Sequence, residues 1–488
     1  MKRYLVALDA GTTSVRAMIF DLAEKRFIFT AQQEVSQNFP QSGWVEQDAD
    51  EIYYKAAYVL NRCKSAVDET EIAGIGVANQ RETVVLWNRE TGEPIAPAIV
   101  WQCRRTSEFC AAIPKEMRFI IAQKTGLPVD AYFSASKIRW ILDHVPQAKI
   151  LLSEGKLCAG TIDCYLIYKL TEGKRFVTDY TNASRTMLFN IHTLSWDGEL
   201  LDYFEIPQTS LPEALPCDAR MGEMKLGESV VPIAGVAGDQ QAALFGQACL
   251  QKGDAKVTYG TGLFLLLNTG AECVHSESGL VTTVGYSVGG KTAYALEGSA
   301  FNAGSSIQWL RDGLGLLTTS AESEQVAGSV PDSGGVYFVP AFTGLGAPHW
   351  RSDARGLFCG ITRGTGKAHM VRAVLESIAY GARELTECMV RDGKIALTQL
   401  KCDGGASAND LLMQFQADVL HVTVNRPAER ESTALGAAML CAYSLGLIDE
   451  KGVSQLRREQ KVFLPSKEKE YYDTLYQNYL QAEKRALM

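Results

Sequence analysis

The chain has 488 residues, more than one ordinary hydrophobic core accommodates, so we expect at least two domains. Its 46% hydrophobic and 21% charged residues are typical of a soluble globular protein, and the net charge of -8 argues against a general nucleic-acid or anionic-membrane surface. No apolar stretch approaches the roughly 20 residues that span a bilayer, and Asp9 ends the first apolar run too early for a signal peptide. We therefore expect a cytoplasmic protein, without nucleic-acid partners or stable membrane insertion.

The first predicted element is a strand, a polar turn and a second strand. Residues 4–8 are apolar, Gly11-Thr12-Thr13-Ser14 follows, and residues 15–20 partly alternate apolar and polar. The N–H and hydroxyl donors of such a turn suit phosphate oxygens, and Asp9 before it could hold Mg²⁺, directly or through water. An ordinary hairpin with a polar turn would look the same.

The next strand, residues 72–77, leads directly into Arg81 and Glu82. Adjacent residues of a regular element point apart, so an Arg–Glu pair that reaches one ligand requires an irregular loop. Such a pair suits a polyol, whose hydroxyls both donate and accept hydrogen bonds. The alternative is a surface ion pair of little energetic weight. Trp101 could form an apolar wall for carbon atoms or could equally belong to the core.

An amphipathic helix is predicted over residues 136–144, and a strand-to-helix junction at Asp239. A carboxylate at a helix start can be a simple N-cap. A phosphoryl-transfer enzyme, however, needs a carboxylate that accepts the proton of the acceptor hydroxyl. Asp239 is the strongest candidate for that base, because it comes just before a second hairpin.

That second hairpin is predicted over residues 255–268, with Gly260-Thr261-Gly262 as its turn. The strand–turn–strand unit thus occurs twice, about half the chain apart, which indicates two structurally related domains that present their turns across a cleft. We place the domain boundary within residues 247–253, which gives domains 1–250 and 251–488. The segment 285–292 fits the Walker A pattern, but residues 292–296 alternate like a strand and the Gly289-Gly290 pair predicts a hairpin turn instead.

In the last third, residues 336–341 are predicted as a strand and residues 368–384 as an amphipathic helix. Another helix begins near Asn409, after Gly404 and Gly405. Two glycines after a strand let the backbone approach a flat ligand, and Asn409 could bind that ligand, although an ordinary turn would look similar. The interleaved strands and helices predict an α/β architecture with mixed sheets.

These motifs, with the segments 43–46, 178–186 and 340–348, closely resemble the FGGY carbohydrate kinases, and among them the enzymes that phosphorylate glycerol. The resemblance covers residues 5 to about 446. It implies two actin-like (ribonuclease H-like) domains with mixed sheets flanked by helices, and an ATP cleft between them. It also implies ATP and Mg²⁺ as cofactors, glycerol as the small-molecule substrate, and sn-glycerol 3-phosphate as the product. We further expect a homo-oligomer, a dimer or a tetramer.

The resemblance assigns roles residue by residue. Asp239 is the expected catalytic base, and Asp9 with Asp239 is expected to place Mg²⁺. The residues implied to bind the acceptor are Arg81, Glu82, Tyr132, Asp239 and Gln240, with Trp101 and Phe264 on the apolar side. Those implied to bind ATP are Thr12, Thr13, Ser14, Arg16, Thr261, Gly304, Gln308, Gly405 and Asn409. Tyr132, Gly304 and Gln308 follow from the resemblance alone.

Two features depart from the family pattern. Ala10 stands where these enzymes typically carry Gln, and we expect catalysis to survive because the neighbouring Gly and Thr residues remain. The segment 224–231 lacks both the loop that binds fructose 1,6-bisphosphate and the histidine that is phosphorylated in some relatives. Two rival interpretations remain open: the same fold with another polyol or a ketosugar such as xylulose as acceptor, and a non-catalytic actin-like ATP switch.

Overall fold

The structure is a computed structural model that describes residues 2–351, 353–466 and 468–488. The strands up to residue 238 are β1 (Tyr4–Ala10), β2 (Ser14–Asp21), β3 (Arg26–Glu34), β4 (Glu46–Gln47), β5 (Ile72–Asn79), β6 (Val84–Asn88), β7 (Ala98–Ile99), β8 (Leu157–Thr161), β9 (Val177–Asp179), β10 (Phe189–Asn190), β11 (Ser195–Trp196), β12 (Glu213–Leu215), β13 (Arg220–Leu226) and β14 (Ser229–Gly238). The later strands are β15 (Ala255–Tyr259), β16 (Leu263–Gly270), β17 (Val281–Val288), β18 (Lys291–Ala300), β19 (Tyr337–Val339), β20 (Leu357–Cys359), β21 (Gln399–Asp403), β22 (Thr423–Pro427) and β23 (Glu459–Phe463).

The helices alternate with these strands. They are α1 (Ala49–Lys64), α2 (Ser107–Ala112), α3 (Lys115–Thr125), α4 (Ser134–His144), α5 (Pro146–Ser153), α6 (Ile162–Leu170), α7 (Tyr180–Ala183), α8 (Gly198–Phe204), α9 (Asp239–Gly246), α10 (Gly304–Asp312), α11 (Glu322–Gly328), α12 (Lys367–Gly393), α13 (Asp410–Leu420), α14 (Ser432–Ser444), α15 (Glu450–Leu456) and α16 (Lys469–Ala486). Among the described residues, no helix combines the length and the apolar character needed to cross a bilayer.

Two large mixed sheets form the framework, and their centres have the same construction. In the first sheet, with strand order β13-β14-β5-β1-β2-β3, β1 pairs antiparallel with β2 and parallel with β5. In the second sheet, with order β17-β18-β16-β15-β21-β22-β23, β15 pairs antiparallel with β16 and parallel with β21. The prediction that one strand–turn–strand unit occurs twice is therefore confirmed.

Helices separate and cover the two sheets in five layers. Side chains of Val6 and Leu8 pack under α1 and α6, whereas Leu5 and Ala7 on the opposite face pack against α9 and α14. The same layer of α9 and α14 contacts the second sheet through Leu266, and α12 and α13 cover the far face of that sheet. Alternation of buried side chains along each central strand produces this arrangement.

The two middle helices approach each other very closely. A Cβ atom added to Gly436 of α14 would lie 1.7 Å from the Ala242 carbonyl oxygen of α9, so only glycine fits there. Helix α14 comes from the second half of the chain but also contacts β1, β5 and β14 of the first sheet. The division at residues 250 and 251 lies in the connection between α9 and β15 and stays a prediction.

The other predicted elements agree in type with the structure. The helices predicted at 136–144, at 368–384 and after Asn409 correspond to α4, α12 and α13, and the strand at 72–77 to β5. The strand predicted at 336–341 is shorter, residues 337–339 of β19. The Walker-like segment forms the β17–β18 hairpin, where Gly289 and Gly290 have φ values of 58° and 73°. It therefore cannot act as a strand-to-helix phosphate loop.

An ionic cluster around His349 connects the C-terminal helix α16 with α12. His349 Nε2 lies 2.7 Å from Glu384 Oε1 of α12 and 3.3 Å from Glu483 Oε2 of α16. The hydrogen bond with Glu384, followed by that with Glu483, raises the pKa of His349 to about 10. Burial raises the pKa of Glu384 as well. The folded state thus binds this proton more tightly than the unfolded chain does.

We expect His349→Gln to lower the free energy of unfolding by about 1–3 kcal/mol at pH 6, because two carboxylates lose their charged donor. The stabilisation by His349 is fully present below its unfolded pKa of roughly 6.5 and is lost as the pH rises toward 10. Urea unfolding of both proteins between pH 6 and 10 measures this difference. The exposed His144, changed to Gln, serves as control, and a His349→Gln difference independent of pH would contradict the prediction.

Candidate active site

The sequence-predicted polar residues lie at one edge of the first sheet. Asp9 of β1 is in register with Ala78 of β5, and Ala78 is in register with Ala237 of β14. These three strands are parallel, so their carboxyl ends meet at the same edge. Asp9 is therefore close to the loop that carries Arg81 and to Asp239 at the start of α9.

Hydrogen bonds from the Gln47 side chain, the Gln80 backbone and Trp101 hold the turn of the first hairpin in place. Gln47 Nε2 donates to the Thr12 carbonyl oxygen at 2.6 Å, and the Gln80 N–H donates to the Ala10 carbonyl oxygen at 2.8 Å. Trp101 Nε1 donates to Thr12 Oγ1 at 3.0 Å. These contacts fix one side of the turn and leave Thr13, at its tip, exposed toward solvent.

The turn of the second hairpin is joined to the start of α10. The Gly304 N–H donates to the Gly260 carbonyl oxygen at 3.0 Å, and the Ala303 N–H donates to the Thr261 carbonyl oxygen at 2.9 Å. A Cβ atom on Gly304 would lie 2.6 Å from the Gly260 oxygen. The absence of a side chain at Gly304 thus permits the close contact, while Thr261 remains exposed.

Asp9 is buried and paired with a cation. Arg16 Nη2 donates to Asp9 Oδ2 at 2.7 Å, and its Nη1 donates to Glu431 Oε2, just before α14, at 2.6 Å. Burial raises the pKa of Asp9, and the negative charge of Asp239 acts in the same direction. Two nearby carboxylates of this kind fit Mg²⁺, which takes few protein ligands and keeps several waters.

Arg81 and Glu82 belong to a buried network of alternating charges. Arg81 pairs with Glu297 of β18 through both terminal nitrogens, the longer contact being 3.1 Å. Arg185 donates to Glu82 Oε1 at 2.6 Å and to Glu297 Oε1 at 3.1 Å. All four residues are at most 4% exposed, so the alternative of a surface ion pair is wrong.

The network determines the charge of its members. Burial opposes the ionisation of Glu297, but Arg185 and Arg81 hold its pKa down at about 2. Burial raises the pKa of Glu82, although Arg185 and Arg81 act against it. The predicted irregular loop is confirmed, because Glu82 has a φ of 61°, the left-handed conformation that non-glycine residues rarely adopt. With that backbone, Glu82 Oε1 lies 3.9 Å from Arg81 Nε, so the two side chains belong to the same network.

Asp239 is the first residue of α9, and the N-cap position is occupied by Gly238, so Asp239 is not simply a cap. Its Oδ1 lies 3.1 Å from Arg81 Nε and accepts the Gln240 N–H at 2.7 Å. Its Oδ2 has a longer contact of 3.4 Å with Gln240 Nε2. The side chain is 31% exposed, far more than that of Arg81, so part of this carboxylate is accessible to solvent.

Aromatic rings adjoin the charged network. The rings of Trp101 and Tyr132 meet edge to face, with centroids 5.5 Å apart, and the Arg185 guanidinium lies 5.7 Å from the centre of the Tyr132 ring. Burial raises the pKa of Tyr132, so its hydroxyl stays protonated. Trp101 is half-buried, so it does not belong to the core alone. It contacts Tyr132 on one side and the first hairpin on the other.

The second sheet supplies further side chains to the same region. Lys256 of β15, Leu266 of β16 and Glu297 of β18 are in register and form one row across the sheet. Phe264 lies in the next row and is half-buried. Side chains of rows two residues apart share a face, so Phe264 faces the first sheet together with Lys256 and Glu297.

The residues expected to bind adenosine lie beyond the second hairpin. Gly404 has a φ of 85°, whereas a Cβ atom on Gly405 would meet no atom within 4 Å. Asn409 is the N-cap of α13, accepts the Leu412 N–H at 2.9 Å and contacts Ser323. Gln308 is exposed on α10; within the described part of the chain, no hydrogen bond joins it to Gly405 or Asn409.

Sequence reasoning missed several residues that organise this site. They are Gln47, Arg185, Lys256, Glu297 and Glu431. A signal was present for two of them, since Lys256 is the one charged residue of β15, and Glu297 lies among small and apolar residues in the interior of β18. Their partners are distant in the chain, with Arg81 and Glu297 separated by 216 positions.

Comparisons with known proteins agree with this architecture. Residues 4–246 match the N-terminal domain, and residues 255–445 the C-terminal domain, of the FGGY family of carbohydrate kinases. Glycerol kinase from Treponema denticola is 53% identical over 100% of this chain and 99% of its own length, and glycerol kinase 2 from Sulfolobus acidocaldarius is 50% identical over 100% and 98%.

Solved structures extend the comparison to three dimensions. The crystal structure of Plasmodium falciparum glycerol kinase with ADP has a TM-score of 0.93 and 35% identity, and covers 99% of this chain and 98% of that one. Gluconate kinase from Lactobacillus acidophilus has a TM-score of 0.89 at 24% identity, with 99% and 98% covered, which shows a shared fold. Both domain matches and the full-length relatives place this chain in the FGGY family of carbohydrate kinases.

Proposed function

We propose that the protein transfers the γ-phosphoryl group of ATP to a terminal hydroxyl of glycerol, giving sn-glycerol 3-phosphate and ADP. The observation that carries this proposal is the partly exposed Asp239 carboxylate beside the buried side chains of Arg81 and Glu82. The full-length similarity to proteins named glycerol kinase supports it. A small pocket with both donors and acceptors suits a small, uncharged polyol.

In the proposed reaction, Asp239 accepts the proton of the terminal hydroxyl as that oxygen attacks the γ-phosphorus. The new O–P bond forms while the bond to the β-phosphate oxygen breaks, and ADP leaves. Arg81 and Glu82 would hold the other hydroxyls, with Tyr132 and Gln240 beside them. Trp101 and Phe264 would line the carbon side and exclude water.

The nucleotide would lie between the two hairpin turns. Donors of Thr12, Thr13, Ser14, Arg16 and Thr261 would bind the phosphate oxygens, and Gly304, Gln308, Gly405 and Asn409 would hold the adenosine side. Asp9 and Asp239 would hold Mg²⁺, directly or through water, and bound Mg²⁺ supplies neutralisation of the phosphate charge. The cytoplasmic location and the homo-oligomeric state stay predictions.

A competing proposal is that the same reaction uses a different acceptor, such as xylulose or gluconate. Kinases for gluconate and xylulose share this fold, so the fold alone does not select glycerol. We expect kcat/KM for glycerol to exceed that for xylulose or gluconate by more than about tenfold, because a larger or charged acceptor would leave buried polar groups unpaired. A coupled ADP-release assay with these acceptors measures the ratio. A higher kcat/KM for xylulose or gluconate would reject glycerol as the substrate.

The rival function, a non-catalytic ATP switch, requires no catalytic base, so a change at Asp239 distinguishes it from a kinase. We expect Asp239→Asn to reduce kcat for phosphoryl transfer about 10²–10⁴-fold, because the amide cannot accept the proton, while ADP binding by calorimetry changes little. The exposed Asp353, changed to Asn, is the matched control. Near-normal turnover of Asp239→Asn would exclude it as the base, and ATP hydrolysis without a phosphorylated product in the unchanged protein would favour the switch.

The nucleotide position is tested at Gly405. We expect Gly405→Val to raise the KM for ATP at least about tenfold, because the added side chain would enter the space proposed for adenosine, without changing the melting temperature. Gly198 at the start of α8 is the control, since a Cβ there also meets no atom within 4 Å. If Gly405→Val and Gly198→Val have the same KM for ATP, Gly405 does not face the nucleotide.

A further inference from the structure

Lys256 is a buried cation that the proposed reaction does not use. It lies in β15 with no exposed surface, on the face of the second sheet that is turned toward α9. Burial lowers the pKa of Lys256, whereas the charges of Asp403, Asp239 and Glu297 act in the opposite direction. Burying an ammonium group is costly unless its hydrogen bonds are satisfied, so its partners indicate what it does.

The ammonium group makes two short hydrogen bonds. Lys256 Nζ donates to Gln240 Oε1 at 2.6 Å and to Thr258 Oγ1 at 2.9 Å. An ammonium group can only donate, so Gln240 must present its carbonyl oxygen to Lys256. The amide nitrogen of Gln240 then points the other way, and it lies 3.4 Å from Asp239 Oδ2.

This orientation matters because the two oxygens of Asp239 are held differently. Oδ1 is close to Arg81 Nε and accepts the Gln240 backbone N–H, whereas the hydrogen bond that the described residues give Oδ2 is the long one from the Gln240 side-chain amide. Oδ2 is thus the oxygen better placed to receive a proton. With the Gln240 amide reversed, two acceptor oxygens would face each other and push the carboxylate out of position.

We propose that Lys256 is a positioning residue, which fixes the side-chain amide of Gln240 and through it the proton-accepting oxygen of Asp239. This inference rests on the proposed role of Asp239 as the base. Within the described part of the chain, no hydrogen bond or ion pair joins Lys256 to Asp239 directly. Thr258, its second partner, shares the hydrogen bonds of the ammonium group but has no contact with Gln240 among those of the described residues.

The test is a double-mutant cycle between Lys256→Met and Gln240→Ala, measured with the best acceptor of the panel. We expect Lys256→Met to lower kcat/KM for the acceptor about 10- to 100-fold, chiefly through kcat, with the ADP dissociation constant unchanged within about twofold. In the Gln240→Ala background, the same Lys256 change should cost less than about threefold, because the group that it positions is already gone.

A merely structural role gives the opposite pattern. Lys256→Met would then lower the melting temperature and weaken ADP binding together with kcat. In the double mutant, the fold losses in kcat/KM of Lys256→Met and Gln240→Ala would multiply. Either of these results overturns the proposal. Thr258→Val is the matched control, since it removes a partner of Lys256 but keeps Gln240, and near-normal kcat/KM is expected. If Lys256→Met does not fold, Lys256→Arg replaces it. A folded Lys256→Arg protein whose kcat is still reduced supports the proposal. Full activity of Gln240→Ala overturns it.

These outcomes are distinct from failure of the proposed function. Loss of glycerol as the preferred acceptor would appear in the unchanged protein and would leave the cycle measurable with another acceptor. Full activity of Asp239→Asn would remove the base on which this inference rests, without any change at Lys256. The coupling between Lys256 and Gln240 therefore has its own readout.

Discussion

The contact on which the site depends is the ion pair between Arg81 and Glu297, which joins the loop after β5 of the first sheet to β18 of the second sheet. Arg81 follows the central parallel strand of the first sheet, and Glu297 lies within an antiparallel strand of the second. Both are buried, so breaking either partner would leave a charge without compensation. The pair therefore fixes where the halves meet, and Asp239, held by Arg81 Nε, takes its position from the same guanidinium.

Buried ion pairs contribute little net stability, because desolvation offsets much of the attraction. Their value here is geometric. Arg185 connects Glu82 with Glu297, and this connection favours the left-handed backbone at Glu82 that an isolated loop would avoid. This backbone conformation lies beside the site proposed for the acceptor. We infer that the network fixes the side chains of Arg81 and Glu82 before a ligand binds, although it requires an unfavourable backbone conformation at Glu82.

Sequence patterns predicted the local parts of this architecture and not the long-range contacts. Both hairpins, the junction at Asp239 and the main helices follow from periodicity, turn residues and composition, which act over a few positions. The partners of Arg81 and Glu82 could not be predicted in that way, since Arg185 and Glu297 are 103 and 216 positions away. They meet only in the folded chain, where Arg185 follows α7 and Glu297 lies in β18 of the second sheet. Trp101 shows the same limit, because its bond to Thr12 depends on tertiary structure.

The charge balance of the pocket bears on which acceptor fits. Arg81 and Arg185 carry two positive charges, but Glu82 and Glu297 already engage them, and Asp239 adds one further negative charge. Lys256 is a further cation beside these groups, yet its ammonium group is occupied by Gln240 and Thr258. An anionic acceptor would therefore meet paired cations and the negative charge of Asp239, and its desolvation would go uncompensated. A neutral polyol can instead exchange hydrogen bonds with these groups without disturbing their charges, which is why the electrostatics favour it over a sugar acid.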